Sequence, residues 1–251
     1  MIVTDQPDFL GALGLGRGDV VSIVGAGGKT TLMFRLATEA RALGLRVLVT
    51  TSTRIFIPDR GAYDRIDLSG ALFAGKRLDE PGIYVGGRLG HGPGKVGGVD
   101  DDLLIRQKKH FDLVLIEADG SAGRPLKGWR QYEPVVHAAT TVTVGIVDIQ
   151  TIGCPVDERM VHRMEIFCRL TGARPGDAIS ADHLLQLIDH RQGLFAKARG
   201  RRILYINKVE SIDQQRLSES LCGNLPHLAT VCGSLARGCL DDQSAGQHSR
   251  R

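Results

Sequence analysis

The stretch Val21-Ser22-Ile23-Val24-Gly25-Ala26-Gly27-Gly28-Lys29-Thr30-Thr31 constrains this chain more than any other. An apolar run ends in a glycine loop, and Lys-Thr-Thr opens an amphipathic segment. Strand, loop and helix in that order are the layout of a phosphate-binding loop. Backbone N–H groups of Gly25, Ala26, Gly27, Gly28 and Thr31 would point at one anion, and the helix dipole favours negative charge there. Lys29 would reach the β- and γ-phosphates, and the Thr30 hydroxyl would sit on Mg²⁺. The expectation is a nucleotide-binding protein that takes ATP or GTP with Mg²⁺.

The loop departs from the common G-x-x-x-x-G-K pattern. Ile23 stands where the first glycine belongs, and Gly25 gives the shorter G-x-x-G-K-T-T. This spacing resembles the loop of Mur-ligase-type ATPases. A short loop has fewer amides to wrap a polyphosphate, so Lys29, Mg²⁺ and other side chains must meet more of the charge. The alternative is a glycine-rich turn with a solvated lysine, but both flanks fit the phosphate-binding layout.

At 251 residues the chain can bury a full core. Its net charge of +4 is too mild for a dedicated nucleic-acid binder, which would show a basic stripe with interleaved aromatics. The densest basic patch, Lys197 to Arg202, precedes an apolar strand and reads as a solvated turn. No apolar run is long enough to span a membrane. Met1 to Asp5 lack the pattern of a signal peptide. The cysteines, Cys154, Cys168, Cys222, Cys232 and Cys239, are odd in number and contain no C-x-x-C pair. That favours neither a disulfide framework nor a zinc site and points to a reduced, cytoplasmic protein.

Along the chain, strands are expected at Asp19–Val24, Arg46–Thr50, Phe111–Glu117, Thr141–Val147, Arg202–Asn207 and Ala229–Val231. Helices are expected at Asp8–Leu15, Lys29–Leu43, Asp100–Lys109, Val156–Leu170, Ala181–Ile188 and Ser211–Leu221. Continuous apolar strands alternating with helices give a three-layer α/β/α fold with a mostly parallel sheet, of the P-loop NTPase kind. Residues 1–240 read as one domain with an irregular, glycine-rich insertion at about 59–100. Ile83–Val85 form a short strand in it and Gly86–Lys95 a hairpin or flap. The polar tail 241–251 is expected to be disordered. The acids Asp100 to Asp102 read as dipole compensation.

In such a sheet, ligands lie beyond the carboxyl ends of the strands. One strand ends in Ile116-Glu117-Ala118-Asp119, a Walker B arrangement for holding Mg²⁺. Two residues apart, Glu117 and Asp119 share a face, so one could hold metal and the other orient water or a proton. Lys29, Glu117 and Asp119 are the expected catalytic set, with Thr30, Glu117 and Asp119 on the metal. Thr50-Thr51-Ser52-Thr53 closes another strand, and Thr51 could add a ligand or phosphate contact. Asn207-Lys208-Val209-Glu210 resembles the N-K-x-D element by which GTPases read guanine, with glutamate for aspartate. Base recognition and ordinary loop chemistry both fit it. Arg124 and Lys127 are placed to meet phosphate or an anionic second substrate. His162 and Arg163 fall in an expected helix.

Taken together, Val24-Gly25-Ala26-Gly27-Gly28-Lys29-Thr30-Thr31, Val49-Thr50-Thr51-Ser52-Thr53, Ile116-Glu117-Ala118-Asp119-Gly120-Ser121, Arg124-Pro125-Leu126-Lys127, Glu133-Pro134-Val135 and His162-Arg163 resemble the YqeC family over residues 15–235. That family comprises accessory factors of selenium-dependent molybdenum hydroxylases. The resemblance implies a cytoplasmic maturation factor whose partners are a molybdenum hydroxylase or its cofactor-assembly proteins. It implies phosphate and Mg²⁺ roles for Lys29 and Thr30, metal and catalytic roles for Glu117 and Asp119, and further roles for Arg124, Lys127 and His162.

Three activities remain open: a nucleotide-driven maturation factor, a self-sufficient phosphotransferase or ligase, and a nucleotide-gated binding module without turnover. Cys154, in a loop beyond a strand end, is a candidate selenium carrier. The alternative is that it acts as a small buried hydrophobe.

Overall fold

The structure, a computed structural model, describes residues 8–90 and 94–240. In chain order the elements are α1 (Phe9–Ala12), β1 (Val20–Gly25), α2 (Lys29–Ala42), β2 (Arg46–Thr51), β3 (Arg54–Phe56), β4 (Arg65–Asp67), β5 (Gly82–Gly86), β6 (Arg88–Leu89) and β7 (Lys95–Gly97). Then come α3 (Asp101–Gln107), β8 (Leu113–Glu117), β9 (Leu126–Lys127), β10 (Val142–Asp148), β11 (Val161–His162) and α4 (Met164–Thr171). The chain continues through α5 (Ala181–Asp189), β12 (Arg201–Asn207), α6 (Ile212–Gly223), β13 (Ala229–Ser234) and β14 (Cys239–Leu240).

Nine strands form the main sheet, in the order β14-β13-β12-β10-β1-β8-β2-β5-β4. Pairing is parallel throughout except at the β14 edge. The strands read as unbroken apolar runs because both faces are covered. Val21, Ile23, Val49, Leu115 and Ile146 pack on one face with Leu32, Met33 and Leu36 of α2. On the other face, Val24, Val147, Leu204 and Ile206 pack with Phe167, Leu184 and Leu221 of α4, α5 and α6. Farther along that face, Leu48, Val114 and Ile116 meet Leu104 of α3. The result is the expected three-layer α/β/α architecture. Among the described residues no helix is long and apolar enough to cross a membrane.

From β1 the chain runs toward β2 and β5; from β10 it runs the other way, toward β12 and β13. The carboxyl ends of β1 and β10 therefore flank a topological switch point, where open α/β sheets form a crevice.

Two local expectations change. The helix expected over Val156–Leu170 is confined to Met164–Thr171. The Asp157 carboxylate accepts the Arg159 and Met160 amides in a turn, at 2.8 Å each. Val161 and His162 then pair with Leu126 and Lys127 as a two-strand sheet, and Arg163 takes a left-handed conformation at φ 58°. His162 and Arg163 thus precede the helix. Here the pairing with β9 and the charge partner of Arg163 override apolar periodicity. The glycine-rich insertion is the second: it supplies β4 and β5 to the edge of the main sheet, and its β6 and β7 form an antiparallel sheet with β3, which precedes it. Residues 91–93 of the expected flap, and the whole tail 241–251, lie outside the described residues.

Candidate functional site at the carboxyl edge of the sheet

The loop between β1 and α2 is built by glycine at positions where nothing larger fits. Gly25 has φ 103°, and a Cβ there would lie 2.2 Å from the Ile146 carbonyl oxygen. Gly28 has φ 139°, and its Cβ would lie 2.6 Å from the Asn207 amide nitrogen. Gly28 is also the N-cap of α2, and no side chain caps that helix. The first-turn N–H groups of a helix have no intrahelical acceptor, so this end is open to an anion.

Neighbouring strand ends hold the loop from beneath. The Ala26 amide donates to the Ile146 carbonyl at 3.2 Å. The Gly25 amide donates to the Asp119 carboxylate at 3.2 Å, and the Asn207 side chain donates to the Gly27 carbonyl at 2.8 Å. Asn207 in turn accepts from the Leu235 amide at 3.2 Å. Three strands, β8, β12 and β10, thus set the path of a loop whose own sequence is mostly glycine.

Lys29 is 5% exposed, and its ammonium donates to the Gly25 carbonyl at 2.8 Å. It lies 3.4 Å from Asp119 Oδ1 and 4.0 Å from Glu117 Oε1, so both acids do face the same lysine. The Thr30 hydroxyl donates to Glu117 Oε2 at 2.6 Å. The Thr51 hydroxyl donates to the Glu117 carbonyl at 2.8 Å, tying the end of β2 to that of β8. Burial raises the pKa of Glu117, while Lys29 and the Thr30 hydrogen bond pull it down. The carboxyl ends up above its ordinary value.

The two acids differ in their surroundings. Asp119 is wholly buried, and its Oδ2 accepts from Trp129 Nε1 at 2.7 Å as well as from Gly25. Its Oδ1, beside Lys29, has no hydrogen-bond partner among the described residues. Glu117 and Thr30 offer two adjacent hard oxygen donors. Mg²⁺ commonly takes one or two protein ligands and fills the rest with water and substrate phosphates. The donor set fits that habit. Among the described residues no group of three or more His, Cys, Asp or Glu gathers to hold a metal. Glu117 and Thr30 are the residues that could hold Mg²⁺, shared with phosphate.

The Asn207–Glu210 element divides between two tasks. Asn207 braces the loop. Lys208, at φ 65°, is ion-paired to Asp148 at the end of β10. Burial raises the Asp148 pKa against the pull of Lys208. Glu210 accepts from the Ser234 hydroxyl at 2.7 Å, which with Gln150 and Arg237 holds its carboxyl below the usual range.

Lys127, expected at a phosphate, is instead completely buried. Its ammonium donates to the Gly120 carbonyl at 2.6 Å and lies 3.3 Å from Asp119 and 3.6 Å from Glu133. Burial lowers its pKa, while Asp119 and Glu133 oppose the shift. Arg124 and His162 line a separate cavity that shares no lining residue with the loop. Cys154 lies half-buried in the loop beyond β10, its thiol 3.5 Å from the Gln150 carbonyl.

The sequence reading missed Asp148, Trp129, the structural role of Glu133, and Ser234. Asp148 carried a legible signal, an acid closing an apolar strand as Glu117 does. The other three are recognisable only once their partners are in place.

A family model described as "YqeC protein" matches residues 21–165. "Uncharacterized protein YqeC" of Escherichia coli (strain K12) is 34% identical over 201 residues, covering 78% of each chain. The matched region contains the loop, both acids, Lys127, Glu133 and His162. The chain belongs to the YqeC family.

Proposed function

We propose that this YqeC-family chain is a Mg²⁺-dependent nucleoside-triphosphate-binding accessory factor. Its nucleotide cycle would act on a partner during maturation of a selenium-dependent molybdenum hydroxylase. The observation that carries the nucleotide part is the contact of Thr30 with Glu117 at 2.6 Å, beside the Lys29 ammonium and at an uncapped helix N-terminus. The client is supported by the family resemblance of the motifs.

In this reading Lys29 leaves the Gly25 carbonyl for phosphate oxygens. Thr30 and Glu117 hold Mg²⁺, which when bound neutralises charge on the phosphates. Asp119 holds Gly25 and orients Lys29, so it is a positioning residue. Asn207 keeps the loop in shape. Glu210, fixed by Ser234, presents a carboxylate, which only accepts hydrogen bonds. Guanine offers it two N–H donors on one edge, which favours GTP over ATP.

Lys29, Thr30 and Glu117 are all committed to phosphate and metal, so positioning of the attacking water is assigned to the partner. Turnover is therefore slow for the chain alone. Phosphate release from Mg-GTP and Mg-ATP, followed with and without the hydroxylase client or its cofactor, tests this. Acceleration by the client is expected. Equal rates with and without it would count against the maturation role.

A further inference from the structure

Beyond the phosphate-binding loop, a cavity of about 520 Å³ opens where β11 meets α4. Arg124, Arg130, His162 and Arg163 line it, together with the exposed carboxylates Glu158 and Glu165. The volume lies in the range of small-molecule sites. Arg124 donates to the Glu158 backbone carbonyl and Arg130 to the Tyr132 hydroxyl at 2.8 Å; neither hydrogen bond goes to a carboxylate. Burial lowers the pKa of His162, and Arg163, Lys127 and Arg124 lower it further, with only Glu133 opposing. The ring therefore sits in a positive field.

Arg163 is not a loose surface cation. Both of its terminal nitrogens donate to Glu133, one at 2.9 Å, and its backbone is held in the left-handed region. Behind Glu133 the charges alternate inward. Glu133 is 3.6 Å from Lys127, Lys127 is 3.3 Å from Asp119, and Asp119 is 3.4 Å from Lys29. This is an unbroken file of opposite charges, from the wall of the cavity to the lysine of the loop. The three middle members are each less than a tenth exposed. Buried ions are expensive unless paired, so each member of the file is held in place by the next.

We infer that this cavity binds a small anionic ligand bearing a phosphomonoester or carboxylate group, in linkage with the phosphate-binding loop. Arg124 and Arg130 supply charge-assisted donors. His162 supplies a ring nitrogen that can donate as well. The site itself does not rest on the nucleotide reading; the linkage does. When Lys29 turns to a polyphosphate, Asp119 keeps Lys127 as its remaining cation and draws it inward. That, with the added negative charge, makes the cavity less positive. Mg-nucleotide should therefore weaken anion binding, and the anion should weaken nucleotide binding by the same factor.

The test follows the His162 imidazole by ¹H–¹³C NMR at fixed pH, with its signal assigned by its loss in His162→Gln. Inorganic phosphate and citrate are titrated separately, with glucose as the uncharged control. A saturable shift with at least one anion, and none with glucose, is expected. Arg124→Gln combined with Arg130→Gln should weaken binding by about tenfold or more, from the loss of charged hydrogen bonds. Arg130→Glu alone, at an exposed position, should weaken it in the same direction even if the double variant folds poorly. A non-saturable shift, or equal affinity in Arg130→Glu, would overturn the site. Repeating the titration with a saturating non-hydrolysable Mg-GTP analogue should raise the apparent Kd about fivefold, in the usual range of site–site coupling. An unchanged or lower Kd would overturn the linkage. If no nucleotide binds but the anion titration saturates, the proposed function fails and the site stands. If nucleotides bind and His162 does not respond, only the site fails.

Discussion

The Thr30 hydroxyl and the Glu117 carboxylate lie 2.6 Å apart, although one is in the first turn of a helix and the other closes a strand that lies 87 residues away along the chain. The contact joins the start of α2 to the end of β8, which pairs directly with β1. In the proposed function these are the two oxygens that would hold Mg²⁺. The hydroxyl donates a hydrogen bond to the buried acid.

Glu117→Gln should stabilise the protein in the absence of nucleotide while weakening the Mg²⁺ dependence of nucleotide binding. The carboxyl's folded pKa is raised above its unfolded value, so its contribution to stability is present below the unfolded pKa and lost as pH rises through the folded pKa. At about pH 8, where the buried carboxylate would be charged, the variant should melt above wild type. The gap should close as the medium is acidified and Glu117 protonates. Melting curves across pH check this; a variant less stable than wild type at every pH would contradict it.

Gly28→Ala should disable the loop. Its φ of 139° is open to glycine alone, and the added Cβ would meet the Asn207 amide at 2.6 Å. Strain of this kind costs on the order of 1–3 kcal/mol. The larger effect should be on ligand binding, because Asn207 would be displaced from the Gly27 carbonyl. Thermal stabilisation by Mg-nucleotide should vanish in the variant; retention of the wild-type shift would mean that the loop shape is irrelevant.

Glu210→Ala should erase a preference for guanine. Losing hydrogen bonds to a charged acceptor costs about 1.5–3 kcal/mol, roughly tenfold or more in affinity. Competition between GTP and ATP for wild type and variant reads this directly. Wild-type protein that binds both equally, or a variant that keeps the preference, would remove Glu210 from base recognition.

Lys127→Met should destabilise the fold severely. Removing the fully buried ammonium leaves Asp119 and Glu133 facing one another's field without their shared cation. Breaking a buried pair from one side costs about 3–5 kcal/mol. Denaturant unfolding should show a loss of that order, partly recovered when Glu133→Gln is added to lessen the unpaired charge. A loss below about 1 kcal/mol would place Lys127 outside the buried charge file.

Much of this fold is legible in the chain because its strands are apolar without interruption. Val20 to Val24 and Leu113 to Ile116 can only be strands covered on both faces. The loop was legible because glycine, lysine and threonine stand at a strand-to-helix junction. The pairing of Glu117 with Thr30 follows from both lying at carboxyl ends of adjacent parallel strands or just beyond. Residues 156–163 were not legible, because apolar spacing at Val156, Met160 and Val161 imitates a helix. Their conformation is set by Asp157, by pairing with Leu126 and Lys127, and by Arg163 reaching Glu133. Lys127 reads as a phosphate ligand from its position after the Walker B acids. Only the fold reveals that Asp119 and Glu133 have enclosed it.

The most direct test of the central claim is calorimetric titration of Mg-GTP and Mg-ATP into wild type and Lys29→Ala. The account predicts one saturable site on the wild-type chain, absent without Mg²⁺ and weakened about tenfold to a hundredfold in the variant by loss of a charged phosphate contact. No binding of either nucleotide to wild type, or equal binding to Lys29→Ala, would contradict it.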